Sequence, residues 1–359
     1  MKKERVEYLD LLKCISILLV VFCHYCMMPD EIVLGNIVMC LAWAAVPCFF
    51  LASGGLMHAS KSWNWKKYFK KLVRVYLILI IWKVIYLIVY MTAITTSFTG
   101  SELVNYLFFF GDIQGINTGV MWFMYAYVMI LLIYPLTYVL FKNGKKGKQA
   151  ILFGIAILFT LCFLQTGINF VLQTVSAHTG NELSQISFAV VNPFGQYGNM
   201  LFFFLAGAFL FRYREEIIKF LRSGARRLLP WIGIAIGVGI YMTVKYLEYG
   251  TWRWEGIYMT DGYARIGILF MAFGMYLAVM MLPVKGPGKW IASCIGTNTQ
   301  GIYYMHYLML AMLELYLGEA YMRYASFGMN VVKAVVTALV CMAISMLIKK
   351  IPVVRHLMG

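Results

Sequence analysis

The first long apolar run of the chain reads VEYLDLLKCISILLVVFCHYCMM and extends from residue 6 to residue 28. A helix needs about 20 apolar residues to cross the hydrocarbon core of a bilayer, so this run is long enough to span a membrane. Glu7, Asp10 and Lys13 interrupt its apolar start, which distinguishes the run from a cleaved signal peptide. Of all 359 residues, 62% are hydrophobic and only 13% are charged, and this balance excludes an ordinary water-soluble domain.

Nine further apolar runs follow, and the sequence predicts an all-α, polytopic membrane protein with about ten transmembrane helices. After the first, the predicted spans are residues 32–58, 75–95, 120–141, 149–171, 197–211, 229–246, 262–282, 291–317 and 329–348. Because the connections are short, we expect residues 1–359 to form a single integral membrane domain with no appended soluble domain.

The basic residues are distributed unevenly between the two sides of the predicted bundle. An even number of spans puts both termini on one side, and 24 of the 31 Lys and Arg residues lie in the connections and termini of that side. Only Arg253 and Arg323 lie in the odd-numbered connections. Cytoplasmic loops are enriched in Lys and Arg, so we expect cytoplasmic termini. The formal charge of +16 is then a topological asymmetry, and nucleic acid is not an expected partner.

Three ionisable residues of the first span lie on one helical face. At about 100° per residue, Lys13 and His24 are nearly eclipsed, and Asp10 lies on the same side. His24 lies about 16 Å beyond Lys13 along the helix, towards the outer half of the membrane. Ionisable groups inside a bilayer are costly, which makes these residues candidates for function. The structural alternative is an Asp10–Lys13 pair at the cytoplasmic surface and a His24 that hydrogen-bonds a neighbouring helix.

The basic residue, the ten intervening residues and the histidine that run from Lys13 to His24 resemble the first-helix motif of the acyltransferase-3 family of multi-pass membrane O-acyltransferases. Arginine is commoner than lysine at the first position, so Lys13 keeps the charge but not the bidentate geometry of a guanidinium. Further stretches resemble later motifs in the family's order, at residues 46–54, 71–74, 121–123 and 296–306.

The resemblance implies a reaction. In it, an acyl group, usually acetyl, moves from cytoplasmic acetyl-CoA to a hydroxyl of an extracytoplasmic or membrane-associated carbohydrate or other cell-envelope acceptor. The catalytic group implied is His24, Lys13 and Asp10. Imidazole suits general acid or base work near neutral pH, so His24 is predicted to take the proton of the acceptor hydroxyl. Asp10 lies too far along the helix to orient His24, and it is predicted to hold Lys13 at the inner mouth.

Two sets of binding residues accompany this prediction. The phosphates of CoA require basic groups at the cytoplasmic mouth, and the candidates are Lys70, Lys71, Arg74 and Lys13. A topology signal or a contact with anionic lipid explains the same basic cluster. The candidates for acceptor binding are His306, Tyr303, Trp122 and Ser53, and each of these also suits ordinary helix packing.

Other classes of function remain open at this point. Intramembrane charges suit a transporter of a small polar substrate such as an amino acid, as in racemase-associated relatives of the family, and a catalytically silent partner in polysaccharide export is a third possibility. Lys83 in the third span is expected to face a cavity or a carboxylate. The eight cysteines show no metal-ligand spacing, so no metal is expected.

The expected location is the bacterial cytoplasmic membrane, with the lipid bilayer as a partner. Without an appended domain, the protein is expected to act on the acceptor directly or through a separate extracytoplasmic transferase. The short outer connections show no aromatic cluster of the lectin type, so the sequence leaves the identity of the acceptor open. It also leaves the oligomeric state open.

Overall fold

The fold was described from a computed structural model, which covers residues 6–24, 33–60, 62–250, 262–318, 326–352 and 354–358. This part of the chain is all-helical, with 84% of the residues in helices and no strand among those described. In a bilayer the backbone must satisfy its own hydrogen bonds, and helices do so within a single segment. The predicted all-α class is therefore confirmed.

Thirteen α-helices occur in the described residues. In chain order they are α1 Glu7–His24, α2 Val33–His58, α3 Trp65–Ala93, α4 Gly100–Phe108, α5 Trp122–Lys142, α6 Gly144–Phe159, α7 Gln165–Thr179, α8 Gly198–Arg212, α9 Arg214–Leu221, α10 Leu229–Tyr249, α11 Ile266–Met281, α12 Gly286–Leu317 and α13 Phe327–Lys349. A π-helical turn, Thr160–Leu164, joins α6 to α7 without a break.

Each predicted span coincides with a helix or with this α6–α7 rod. Six segments of the described chain are long and apolar enough to cross a membrane: Leu34–His58, Trp65–Ala93, Gly119–Lys142, Gly144–Thr179, Gly224–Glu248 and Phe327–Lys349. Two more apolar helices, α8 and α11, are shorter. The full count of ten spans and the cytoplasmic position of the termini stay predictions.

The predicted boundaries were wrong at α3 and at the α6–α7 rod. Helix α3 begins at Trp65, ten residues before the predicted start, because the Asn64 side chain caps it by accepting a hydrogen bond from Lys67 N at 2.9 Å. The rod extends to Thr179, where Gly180 ends it with a φ of 71°. Short helices α4 and α9 were not predicted. Several sequence-based assignments fall outside the described residues, namely the end of the first span at 25–28, the start of the second at 32, and Lys2, Lys3, Arg5, Lys61, Arg253 and Arg323.

The bundle is centred on α1, which packs against α2, α11, α12 and α13. Helices α2 and α8 cross so closely that a Cβ at Gly54 would lie 1.8 Å from Phe204 O, and one at Gly207 would lie 2.0 Å from Leu51 O. Small residues allow this approach of two backbones, which is a common device in membrane bundles. The close packing leaves α1 surrounded by protein, so its polar face is directed at other helices.

Lys83 holds a hairpin that contains α4 against α3. Its side chain is fully buried, and its Nζ donates hydrogen bonds to Tyr106 O and, at 3.3 Å, to Gly111 O. The ammonium also lies over the rings of Tyr106 and Tyr125, at 4.6 and 5.1 Å from their centroids. Lys83 was expected to face a cavity or a carboxylate; the carboxylate of Asp112 interacts electrostatically with its ammonium, and carbonyl oxygens and aromatic rings complete its surroundings.

Candidate active site

The structure brings together two histidines from the helices at the centre of the bundle. His24 ends α1, His306 lies in α12, and their ring centroids are 5.2 Å apart. His306 is only 1% exposed, and its Nδ1 lies 3.1 Å from Ile302 O. A carbonyl oxygen only accepts hydrogen bonds, so Nδ1 carries a proton, and in the neutral form of the ring Nε2 is the nitrogen without one. No described residue forms a hydrogen bond with that Nε2.

Tyr307 and Asn117 complete the surroundings of His24, and neither was found from the sequence. The Tyr307 ring lies 5.1 Å from that of His24, and its hydroxyl accepts a hydrogen bond from Asn117 Nδ2 at 2.5 Å. Asn117 is fixed in turn by Gly119 N, which donates to its Oδ1 at 3.0 Å. The loop before α5 therefore reaches the histidine pair through one tyrosine.

Tyr303 and Trp122, which were predicted to bind the acyl acceptor, belong to a series of aromatic contacts between the histidine pair and a cavity. Tyr303 lies 6.2 Å from His306 by ring centroids, and its hydroxyl donates to Val120 O at 2.5 Å. Phe123 packs on Tyr303 at 5.2 Å, and Trp122 packs on Phe123 at 6.4 Å. Trp122 forms part of the wall of a cavity of about 370 Å³.

The opposite ends of α1 and α12 carry the charged residues. Lys13 Nζ forms an ion pair with Asp10 Oδ1 at 2.8 Å, and Glu7 of α1 pairs with Lys289 of α12. Beside the Asp10–Lys13 pair, a Cβ at Gly296 of α12 would lie 2.7 Å from Asp10 O. The two helices are thus joined at three levels, and the contact at Gly296 fixes how close they lie.

The residues that were predicted to bind the acyl donor lie in different surroundings. Arg74 donates to His356 O at 3.5 Å, whereas Lys71 lies over the ring of Tyr127, 5.7 Å from its centroid. The pKa of His356 is lowered by loss of hydration and by three nearby cations, Arg74, Arg355 and Lys70. The C-terminal turn therefore adds Arg355 to the positive potential around Arg74 and Lys70, a grouping that was not predicted from the sequence.

A model of the acyltransferase-3 family, described as an acyltransferase domain, matches residues 6–350. The chain belongs to the acyltransferase-3 family. Comparisons with curated proteins and with solved structures gave no match. The family assignment confirms the resemblance found in the sequence, and together with the six apolar segments it describes a membrane acyltransferase.

Ser53 stands apart from the chemistry of this acyltransferase-3 domain. It lies in α2 beside Gly54, at the close crossing with α8, and no hydrogen bond joins it to a histidine in the described part of the chain. A serine needs an adjacent base to act as a nucleophile. His58, the last residue of α2, is also structural, since its ring nitrogens lie 2.9 Å from Gly54 O and 3.2 Å from Thr137 Oγ1.

The histidine pair has the chemical groups needed to transfer a proton. Two adjacent imidazoles, one of them with a buried nitrogen lone pair, can accept a proton from a hydroxyl and return it to a leaving group. Within the described residues, no three His, Cys, Asp or Glu side chains lie close enough together to hold a metal ion. For an acyl donor with phosphate groups, the candidate cations are Lys13, towards the other end of α1 from His24, and Arg74, Lys70 and Arg355 around the C-terminal turn.

Proposed function

We propose that this acyltransferase moves an acyl group, most simply acetyl, from cytoplasmic acetyl-CoA to a hydroxyl of an extracytoplasmic or membrane-associated carbohydrate or cell-envelope acceptor. The observation that carries the proposal is the contact between His24 and His306, with the Nε2 of His306 buried and unpartnered among the described residues. An orphaned buried nitrogen costs free energy, and functional sites are where such groups are retained.

The proposed reaction uses one imidazole as the base. His306 Nε2, or His24 beside it, accepts the proton of the acceptor hydroxyl while the hydroxyl oxygen attacks the carbonyl carbon of the thioester. The C–S bond then breaks, the CoA sulfur leaves as a thiolate, and the imidazolium returns the proton to that sulfur. One thioester and one alcohol are consumed, and one ester and one thiol are formed, so neither an oxidant nor a metal is required.

The donor is proposed to approach from the end of α1 that carries Lys13. Lys13 lies about 16 Å from His24 along the helix, a distance that the extended arm of a CoA thioester can bridge. Phosphate groups bind cations with charge-assisted hydrogen bonds, and Lys13, Lys70 and Arg74 supply such groups. Asp10, paired with Lys13 at 2.8 Å, positions that ammonium and does not itself react.

The proposed orientation has both termini in the cytoplasm of a bacterial cell, with the chain in the cytoplasmic membrane. A cysteine introduced at Ser184 is then expected to react with an impermeant maleimide added outside intact cells, and one at Gly144 is expected to react only after permeabilisation. The reverse labelling pattern would put the basic residues outside and remove the proposed donor site.

The central experiment incubates purified protein in lipid with acetyl-CoA labelled in its acetyl group and measures consumption of the thioester, by transfer to an acceptor hydroxyl or, where water takes the place of the acceptor, by hydrolysis. Wild type and the control His178→Ala, a histidine exposed at the end of α7, are expected to consume the thioester. His24→Ala is expected to lose about 10²–10⁴-fold in rate because it lacks one of the two imidazoles that are proposed to transfer the proton. A protein that leaves acetyl-CoA untouched, and instead carries an amino acid across proteoliposomes in a Lys13-dependent manner, is a transporter.

A further inference from the structure

The segment from the end of α8 to the start of α10 is rich in arginine, whereas the other basic connections contain mainly lysine. Its cations are Arg212, Arg214, Lys219, Arg222, Arg226 and Arg227. By contrast, Arg74 is the only arginine in the basic stretches at 61–74 and 142–148. A guanidinium presents parallel N–H donors that match two phosphate oxygens, whereas an ammonium acts as a point charge. The composition of this segment therefore favours recognition of a phosphate group.

Three of these arginines are exposed and have no acidic partner in the described part of the chain. Arg222 caps the C-terminal end of α9, and Arg226 and Arg227 belong to the 3₁₀ turn Gly224–Leu228. No carboxylate of the described residues forms an ion pair with any of the three. Their guanidinium groups are therefore available to an anion that comes from outside the chain.

Exposed apolar side chains accompany these arginines. The guanidinium carbon of Arg226 lies 4.5 Å from the centroid of the Phe220 ring, which is itself half exposed. Leu228, Leu229 and Trp231, at the junction with α10, are 46 to 53% exposed. Single exposed apolar residues are normal on any surface, but a group of them beside cations indicates a surface that binds an amphipathic partner.

The apolar residues of this surface continue into the membrane-facing side of α10. Gly224–Glu248 is one of the segments apolar enough to cross a membrane, and Ile232 and Ile236 are exposed along it. Tryptophan is enriched at the level of the lipid headgroups, which is the expected depth of Trp231. Arg227 precedes Trp231 by four residues, or about 7 Å along the helix axis, on the side away from the bilayer core. The arginines are thus expected at the depth of the lipid phosphates.

We propose that residues 220–231 form a binding site for an anionic phospholipid of the cytoplasmic leaflet. The three exposed arginines bind the headgroup phosphate through charge-assisted hydrogen bonds, and Phe220 and Trp231 pack against the upper part of the acyl chains. A soluble phosphate would leave the apolar half of this surface in water, so a lipid fits it better. The leaflet follows from the proposed orientation. The site itself is independent of which acyl group the enzyme transfers.

The test is retention of added lipid by the full chain in detergent, measured by native mass spectrometry. The probes are dioleoyl-phosphatidylglycerol, which is anionic, and dioleoyl-phosphatidylcholine, which has the same chains and no net charge. Wild type is expected to bind phosphatidylglycerol at least about tenfold more tightly, because the arginines interact with its net charge. Equal affinity for the two lipids overturns the proposal.

A pair of charge-matched variants locates the binding. The double substitution Arg226→Gln and Arg227→Gln is expected to weaken binding of phosphatidylglycerol by roughly 10- to 30-fold, because each cation near an anionic lipid contributes about fivefold in affinity. Binding of phosphatidylcholine is expected to stay unchanged. The control substitutes Lys145→Gln and Lys146→Gln, which are exposed at the start of α6, and is expected to bind both lipids as wild type does.

Two results of this comparison overturn the site. One is unchanged binding of phosphatidylglycerol by the arginine variant, and the other is an equal loss in the lysine variant, which would show that only the general positive potential matters. All four substituted residues are exposed, so both variants are expected to melt as wild type does in phosphatidylcholine nanodiscs.

The deacylated headgroup glycerophosphoglycerol distinguishes a lipid from a soluble phosphate. It carries the same charge as phosphatidylglycerol but lacks the chains that are proposed to pack on Phe220 and Trp231. An excess of about 100-fold is expected to leave the bound lipid in place, because the apolar part of the contact is missing. Displacement at that excess would make the segment a site for soluble phosphates and overturn the lipid assignment. Neither acetyl-CoA nor an acceptor is present in these measurements, so their outcome is separate from that of the acyl-transfer experiment.

Discussion

Replacing Gly296 by alanine perturbs the contact that sets the distance between α1 and α12. A Cβ at this position would lie 2.7 Å from Asp10 O and 3.1 Å from Asp10 Cα, whereas ordinary van der Waals contact begins at 3.4 Å. The difference of about 0.7 Å must come from movement of the helices, because backbone atoms cannot rotate away as a flexible side chain does.

The movement of α1 and α12 in Gly296→Ala is expected to lower both the stability of the protein and its rate of acetyl-CoA consumption. Overpacking of a tight contact costs about 1–3 kcal/mol, so we expect the melting temperature of the purified protein in lipid to fall by several degrees. Misplacement of catalytic groups by about 1 Å can cost about 10²-fold in rate, and we expect acetyl-CoA consumption to fall by roughly tenfold or more at temperatures where the variant is folded. Thermal unfolding and the initial rate with labelled acetyl-CoA measure the two effects separately.

Gly288→Ala is the matched control, since it is in the same helix and no heavy atom lies within 4 Å of the added Cβ. It is expected to keep the wild-type rate and melting temperature. If Gly296→Ala matches Gly288→Ala in both measurements, the contact between Gly296 and Asp10 does not position the histidines. The reasoning that the helix separation at the charged end of α1 affects the histidine end is then refuted.

Three further predictions concern single side chains. His306→Asn is expected to reduce acetyl-CoA consumption by about 10²–10⁴-fold. The double variant with His24→Ala should lose no more than the worse single variant, because the effects of groups that act as a unit are not additive. A loss in the double variant equal to the product of the two single losses would show independent roles. Lys83→Met leaves the carbonyls of Tyr106 and Gly111 unpaired and is expected to cost about 1–3 kcal/mol in unfolding experiments with SDS, while unchanged unfolding would show that the hairpin needs no such bond. Lys13→Met is expected to raise KM for acetyl-CoA roughly tenfold while Lys13→Arg, which keeps the cation, does not; equal KM values in the two variants would exclude Lys13 from donor binding.

The helices were predictable because a membrane imposes a simple rule on the sequence. Long apolar runs located every long helix, and the spacing of Asp10 and Lys13 indicated the pair seen at 2.8 Å. The start of α3 was missed because hydropathy falls where Lys66 to Lys71 begin, although backbone hydrogen bonding continues through charged residues as readily as through apolar ones. A helix can therefore extend beyond its membrane-spanning segment, and hydropathy identifies only the membrane-spanning segment.

The candidate site was predictable in part. The sequence identified both His24 and His306 as candidate site residues, but their contact depends on which helices are neighbours, and the spacing within one helix does not determine that. The hydrogen-bond acceptors of Lys83 could not be predicted from the sequence because they are backbone carbonyls, which every residue has. The cavity was missed because Trp122 and Tyr263, whose ring centroids lie 4.8 Å apart in the fold, are far apart in the sequence.

The cavity and the histidine pair are built from different parts of the chain. The cavity wall comes from the segments between α5 and α11, and the imidazoles are held by α1 and α12. Mutations in the parts of the wall that lie away from Trp122 are therefore expected to leave the α1–α12 pairing intact, whereas Trp122 is linked to α12 through Phe123 and Tyr303. Such modularity provides a route by which one catalytic frame diverges to serve many chemically different acceptors.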